Sequence, residues 1–127
     1  MAEAKNIVLK DGKATPVNHT FVPSRVSDLR TSFFGPGNTL ASRETLVIDR
    51  REPTATVAGK VTIKLVTPIE QTVDGQVTVS HQDLASVDFV LSPKSDADER
   101  RDIRVMMANA LLDPSVVDVI DNGNGIF

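Results

Sequence analysis

The chain has 127 residues, no cysteine, tyrosine or tryptophan, and a formal net charge of −3. A chain of this length forms one domain and buries roughly two thirds of its unfolded surface, enough for a core. The missing cysteine excludes a disulfide framework and a thiolate metal site and fits a reducing compartment, while the net charge argues against a generic binder of polyanions.

No apolar run follows Met1-Ala2-Glu3-Ala4-Lys5, so the start does not read as a signal peptide. The longest apolar stretch, Val105 to Leu112, is interrupted by Asn109 and is too short to cross a bilayer. A soluble, non-secreted protein without a membrane partner is expected.

Taken in order, residues 6–22 read as an N-terminal hairpin. Ile7 and Leu9 alternate with polar neighbours, Asp11-Gly12 suits a two-residue turn, and Ala14 to Phe21 is the partner strand, kept at an edge by Pro16. Pro23 to Asp28 connects to a sheet spanning 28–92. Its first strand is Leu29 to Phe34, stopped by Gly35-Pro36-Gly37.

Thr45 to Arg51 follows, with Leu46 and Ile48 on one face and Thr45, Val47, Asp49 and Arg51 on the other. The clearest strand alternates Lys60, Thr62 and Lys64 with Val61, Ile63 and Leu65, and Pro68 closes it. Gln76 to His81 comes after a loop containing Asp74-Gly75. Ser86 to Leu91 is the last strand, with Val87, Phe89 and Leu91 on one side.

Two helices occupy 95–122. Ser95 or Asp96 caps the first, with Asp98 and Glu99 in its opening turn, where the helix dipole favours acid. Over about 17 residues, or about 25 Å, Ile103, Met106, Met107, Ala110 and Leu111 form one apolar stripe, and Arg100, Arg101 and Arg104 lie largely away from it. Asp113 caps a second helix that starts at Pro114 and carries Val116, Val117 and Ile120. Asn122-Gly123-Asn124-Gly125 ends it, and Ile126 and Phe127 are expected to pack back.

All helix after all strand means an α+β fold built on an antiparallel meander, with helix over one side of the sheet and the other side free. One helix is too short to cover a five-stranded sheet, and an edge strand is left unpaired. Dimerisation, joining edges and exchanging helices, resolves both. Charge is asymmetric: residues 43–64 carry net +2 and residues 95–127 net −4, which gives a basic and an acidic face if they lie on opposite sides.

In element order the chain resembles the coat proteins of the single-stranded RNA bacteriophages, the leviviruses. The likeness is closest at Lys10-Asp11-Gly12-Lys13, at Lys60-Val61-Thr62-Ile63-Lys64 with Pro68 behind it, and from Ser95 through Phe127. It implies an interlocked homodimer with one continuous sheet, each subunit's helices lying across its partner through the Ile103–Leu111 stripe. Dimers of that family tile an icosahedral shell, with the sheet lining the interior against genomic RNA. The resemblance implies that the loop at about Glu70 to Thr78 forms contacts around the shell's symmetry axes.

In many members the same sheet binds an RNA stem-loop that represses replicase translation. Carried over by residue, Lys60, Thr62 and Lys64 face RNA, joined by Val47, Asp49 and Arg51 on the neighbouring strand. The position where family members often stack a base on tyrosine is Leu84 here, with Ser86 two residues on. The resemblance implies a virion protein assembled in the bacterial host cytoplasm, with no cofactor and no small-molecule substrate.

Little else in the chain carries chemistry. His19 and His81 have no metal-ligand spacing, Ser80-His81 lacks a nucleophile elbow, and no Lys-Ser/Thr follows Gly35-Pro36-Gly37. The acids from Asp96 to Asp102 read as helix-terminal charge, and Met106 and Met107 as packing. The alternative reading is a small dimeric, non-capsid binding domain or a minor enzyme working on the open sheet face.

Overall fold

A computed structural model describes residues 3–126. Its elements are β1 (Ile7–Lys10), β2 (Asn18–Val26), β3 (Arg30–Phe34), β4 (Thr45–Arg51), β5 (Gly59–Val73), β6 (Gln76–Leu91), α1 (Ala97–Ala110) and α2 (Pro114–Asn122). The strands pair in chain order and every pair is antiparallel, giving the α+β class expected from the sequence.

Six strands replace seven because Gln76–His81 and Ser86–Leu91 are parts of one long strand, β6. Gln82 to Ala85 contains no glycine or proline to interrupt it and pairs with Pro68 to Leu65 of β5. Nor does Pro68 end β5. The β4 ladder stops at Val66, so beyond it one edge of β5 has no strand partner, a position at which a proline need not break a ladder bond. The positive φ pair of a two-residue hairpin is found at Asp74 (φ 52°) and Gly75 (φ 79°), joining β5 to β6.

At Asp11-Gly12 the chain instead makes a seven-residue loop, 11–17, that contains Pro16. The Asp11 carboxylate fills this loop, accepting from the Lys13 and Val17 backbone N–H groups at 3.2 and 3.0 Å. Pro23 lies within β2 rather than in a connection, beside a bulge between Pro23 and Arg25. The first half of β2 pairs with β1 and the second half with β3.

That arrangement lets the hairpin fold over one face of the sheet. Phe21, 1% exposed, packs with Phe33 and Leu46, flanked by Ile7, Leu9, Ile48, Ile63 and Leu65. Gly35 is required beside it, because a Cβ there would stand 2.6 Å from the Phe21 ring.

His19 fastens the hairpin. Its Nδ1 meets Glu44 Oε1 at 2.6 Å and its Nε2 meets Asp11 Oδ2 at 2.9 Å, all three side chains being largely buried. Hydrogen bonds to Asp11 and then Glu44 raise the His19 pKa, and hydrogen bonds from Val17 and His19 hold the Asp11 carboxyl well below the usual range. A raised histidine pKa contributes stability that is full below the ordinary histidine value and is lost as pH rises through the folded value; the lowered Asp11 pKa contributes stability that is lost only in strong acid. Amide protection factors in residues 7–21, corrected for the base catalysis of exchange itself, should therefore fall as pH rises past the ordinary histidine value, and His19→Gln should remove that fall. Protection that stays flat with pH in the natural chain would show that the clamp does not hold the hairpin.

Asp96 is the cap of α1, accepting from Glu99 N–H at 2.8 Å, and Asp113 caps α2 with Pro114 in its first turn. Gly123 ends α2 at φ 71°. At 14 residues α1 is shorter than expected, and neither helix has a buried residue. Ile126, 67% exposed, does not pack back, and Phe127 lies outside the described residues. No helix is long and apolar enough to cross a membrane.

Candidate nucleic-acid interface

Residues directly opposite one another on antiparallel strands share a face, so the register sorts the sheet. Val61, Ile63 and Leu65 lie opposite Phe89, Val87 and Ala85 and, on β4, Arg50, Ile48 and Leu46. This is the apolar face. Arg50 belongs to it, not to the basic face, and is tied to Asp28 Oδ1 at 2.8 Å and Glu52 Oε1 at 2.6 Å.

The other face carries four cross-sheet rows. They are Val22–Phe34–Thr45–Val66–Leu84, Arg25–Ser32–Val47–Lys64–Ser86, Arg30–Asp49–Thr62–Asp88 and Arg51–Lys60–Val90. Lys60, Thr62, Lys64, Arg51, Val47, Asp49, Ser86 and Leu84, chosen from the sequence, thus stand on one surface. A five-strand row is about 19 Å wide at ~4.8 Å per strand.

Sequence reasoning missed four members of this surface. Asp88 accepts from the Thr62 hydroxyl at 2.7 Å and pairs with Lys60 Nζ at 3.7 Å. With its proton held there, the Thr62 oxygen presents lone pairs and acts as an acceptor. Arg30 pairs with Asp49 at 3.5 Å, which partly neutralises the acid. Arg25 extends the Lys64 row onto β2, and the Arg43 guanidinium lies 4.0 Å over the Phe34 ring. Period-two alternation signals each strand's two faces, but only cross-strand register shows which residues of different strands meet.

Arg25, Arg30, Arg43, Arg51, Lys60 and Lys64 stand here against Asp49 and Asp88, a surplus concealed by the chain's overall negative charge. A surface of this sign attracts a phosphodiester backbone, and its affinity weakens with salt.

On the apolar side α1 stands off from the sheet. Between them runs a cleft of about 560 Å³ whose sheet wall is Val61, Ile63, Val87, Phe89 and Leu91. The helix wall includes Met107 and Leu111 but also Arg100, Arg101 and Arg104, so the arginines turn toward the sheet rather than away from it. Ile103, Met106 and Ala110 do not line the cleft, and Met106 is 69% exposed. The apolar stripe of α1 is therefore split within one chain.

Comparison with known proteins agrees with this geometry. The family model described as levivirus coat protein matches residues 2–127. The chain is 36% identical to the capsid protein of Pseudomonas phage PRR1, with 99% of this chain and all of that one covered. A virus-like particle of bacteriophage ESE058 has a subunit of the same fold, with TM-score 0.87, 28% identity, and 99% and 100% of the two chains covered. The bacteriophage GA capsid protein shares the fold at TM-score 0.76 and 22% identity over 98% of each chain.

These matches do not favour a non-capsid binding domain or minor enzyme. A six-stranded antiparallel sheet with one open face and two trailing helices, carried by a sequence that the family model spans almost end to end, places the chain in the levivirus coat protein family, as a capsid protein of the virion.

Proposed function

We propose that the chain works as a homodimer, that its dimers build a closed icosahedral shell, and that the basic sheet face lines the interior against single-stranded RNA. The role is structural rather than enzymatic. The observation that carries this reading is exposed area. One chain exposes 9481 Å², whereas a compact monomer of 13.7 kDa exposes roughly 6,600 Å².

The excess, roughly 2,900 Å² per chain and so roughly 5,800 Å² for a pair, falls at the upper end of obligate interfaces. Part of it lies where a second copy fits. The Val61–Phe89 wall and the Ile103, Met106, Met107, Ala110 and Leu111 stripe are complementary apolar surfaces, and β6 is a 16-residue edge without an outer partner. Pairing β6 with its symmetry mate continues the sheet and lays each α1 over the partner's apolar face. That leaves the basic face uncovered, as RNA contact requires.

Sedimentation should show dimers as the smallest folded species, and electron microscopy should show closed particles. A stable monomer that never assembles, even with RNA present, would refute the reading. Titration with a hairpin RNA against an unstructured strand of equal length tests for an operator stem-loop. A preference of less than a few-fold would confine the protein to non-specific packaging.

A further inference from the structure

The basic side of the sheet carries a feature that the two lysines of β5 do not use. Above β2, β3 and β4 lies an open trough of about 880 Å³ whose lining includes Arg25, Arg30, Ser32, Phe34, Thr45 and Val47. Phe34 is the aromatic side chain of the four cross-sheet rows. Arg43 covers one side of its ring at 4.0 Å, and the ring also lines the trough.

The Nε of Arg43 is buried without a hydrogen-bond partner, so that guanidinium is held in place by the ring beneath it. Thr45 lies directly across from Phe34, and Ser32 is two residues along β3, putting hydroxyls that can donate or accept beside the ring. Arg25 enters no ion pair among the described residues, and Arg30 has only the exposed contact to Asp49.

We propose that this trough is a nucleotide subsite for single-stranded RNA: a base stacks on Phe34 and the flanking phosphates meet Arg25 and Arg30. The inference rests on the reading that this sheet face meets RNA. A basic groove with an aromatic platform holds single strands with little regard to sequence, because every base has a π-face. The chain lacks tyrosine altogether, and Leu84 stands at the position where the resemblance leads one to expect a stacking ring. Phe34 occupies the same cross-sheet row as Leu84, three strands away.

The test measures binding of the purified full chain to an oligoadenylate and to an abasic oligonucleotide of equal length. The natural chain should bind the oligoadenylate about 5- to 140-fold more tightly, the equivalent of one base stack. Phe34→Leu should lose that preference and leave abasic binding unchanged, and Phe34→Tyr should keep it. Arg25→Ala with Arg30→Ala should lower the salt slope for both strands by about 1.4.

Equal affinity of the natural chain for the two strands overturns the proposal without any variant. So does a Phe34→Leu effect of the same size on both. If Lys60→Ala with Lys64→Ala still weakens binding in that case, the face meets RNA elsewhere; if it does not, the parent reading fails as well.

Discussion

Protein carrying Met107→Asp should yield no dimer and no particle. Met107 lines the cleft facing Val61, Ile63 and Phe89 and is 39% exposed in a single chain, and the proposed dimer covers that face. A carboxylate buried there costs several kcal/mol even with Arg100, Arg101 and Arg104 in the same cleft, because desolvation outweighs pairing, and that is a large share of the roughly 5 to 15 kcal/mol by which domains are stable. Met107→Leu conserves volume and should cost less than about 1.5 kcal/mol, which separates charge from shape. Sedimentation velocity and electron microscopy read the outcome. An aspartate variant that still assembles would remove this face of α1 from the interface.

Replacing Lys60 and Lys64 together by alanine should weaken RNA binding while leaving fold and assembly intact. Both side chains stand on the solvent side of β5, so the core at Phe21, Phe33 and Leu46 does not register their loss. Two phosphate contacts fewer lower the salt slope by about 1.4 to 1.8, which at 0.15 M salt amounts to a loss of roughly 15- to 30-fold.

Lys60 should account for the larger part. Removing it also frees Asp88, whose other partner is the Thr62 hydroxyl, to repel phosphate. Asp88→Asn in the Lys60→Ala background should restore part of the affinity. Filter binding across a salt series measures both effects, and an unchanged slope would locate RNA contact on another surface.

Much of the fold was legible because its signals are local. The alternation from Lys60 to Leu65 assigns each side chain a face whatever surrounds it, and Asp113-Pro114 announces a helix through cap and ring geometry that no tertiary contact alters. Proline misled where tertiary context decided its cost. Pro68 is harmless in β5 because β4 has already ended, and Pro23 sits in β2 beside a bulge. Asp11-Gly12 and Asp74-Gly75 look alike as dipeptides, yet only the second makes a tight turn. At the first, Asp11 is drawn into hydrogen bonds with Val17 and His19, six and eight residues away.

The candidate site divides in the same way. Alternation along β4, β5 and β6 separated each strand's two faces, and the resemblance to coat proteins put Lys60, Thr62, Lys64, Arg51 and Ser86 on a shared surface, as the register has it. Arg25, Arg30, Arg43 and Asp88 join it through cross-strand register and a ring contact, and Arg50 leaves it because its position in β4 pairs with Val61. On α1 the period of 3.6 collects Ile103 through Leu111 into one stripe, of which the cleft takes Met107 and Leu111, because the direction in which a stripe points is set by what it packs against. Within one chain that is almost nothing.

By itself, then, the amino-acid order determined the succession of strands and helices, the two faces of each strand and the caps of each helix, since these follow from spacings of two to four residues along a chain of fixed geometry. Tertiary structure decided where long strands end, which charges of different strands become neighbours, and how much apolar surface is left uncovered. Those depend on which distant segments lie side by side, and no local spacing encodes that.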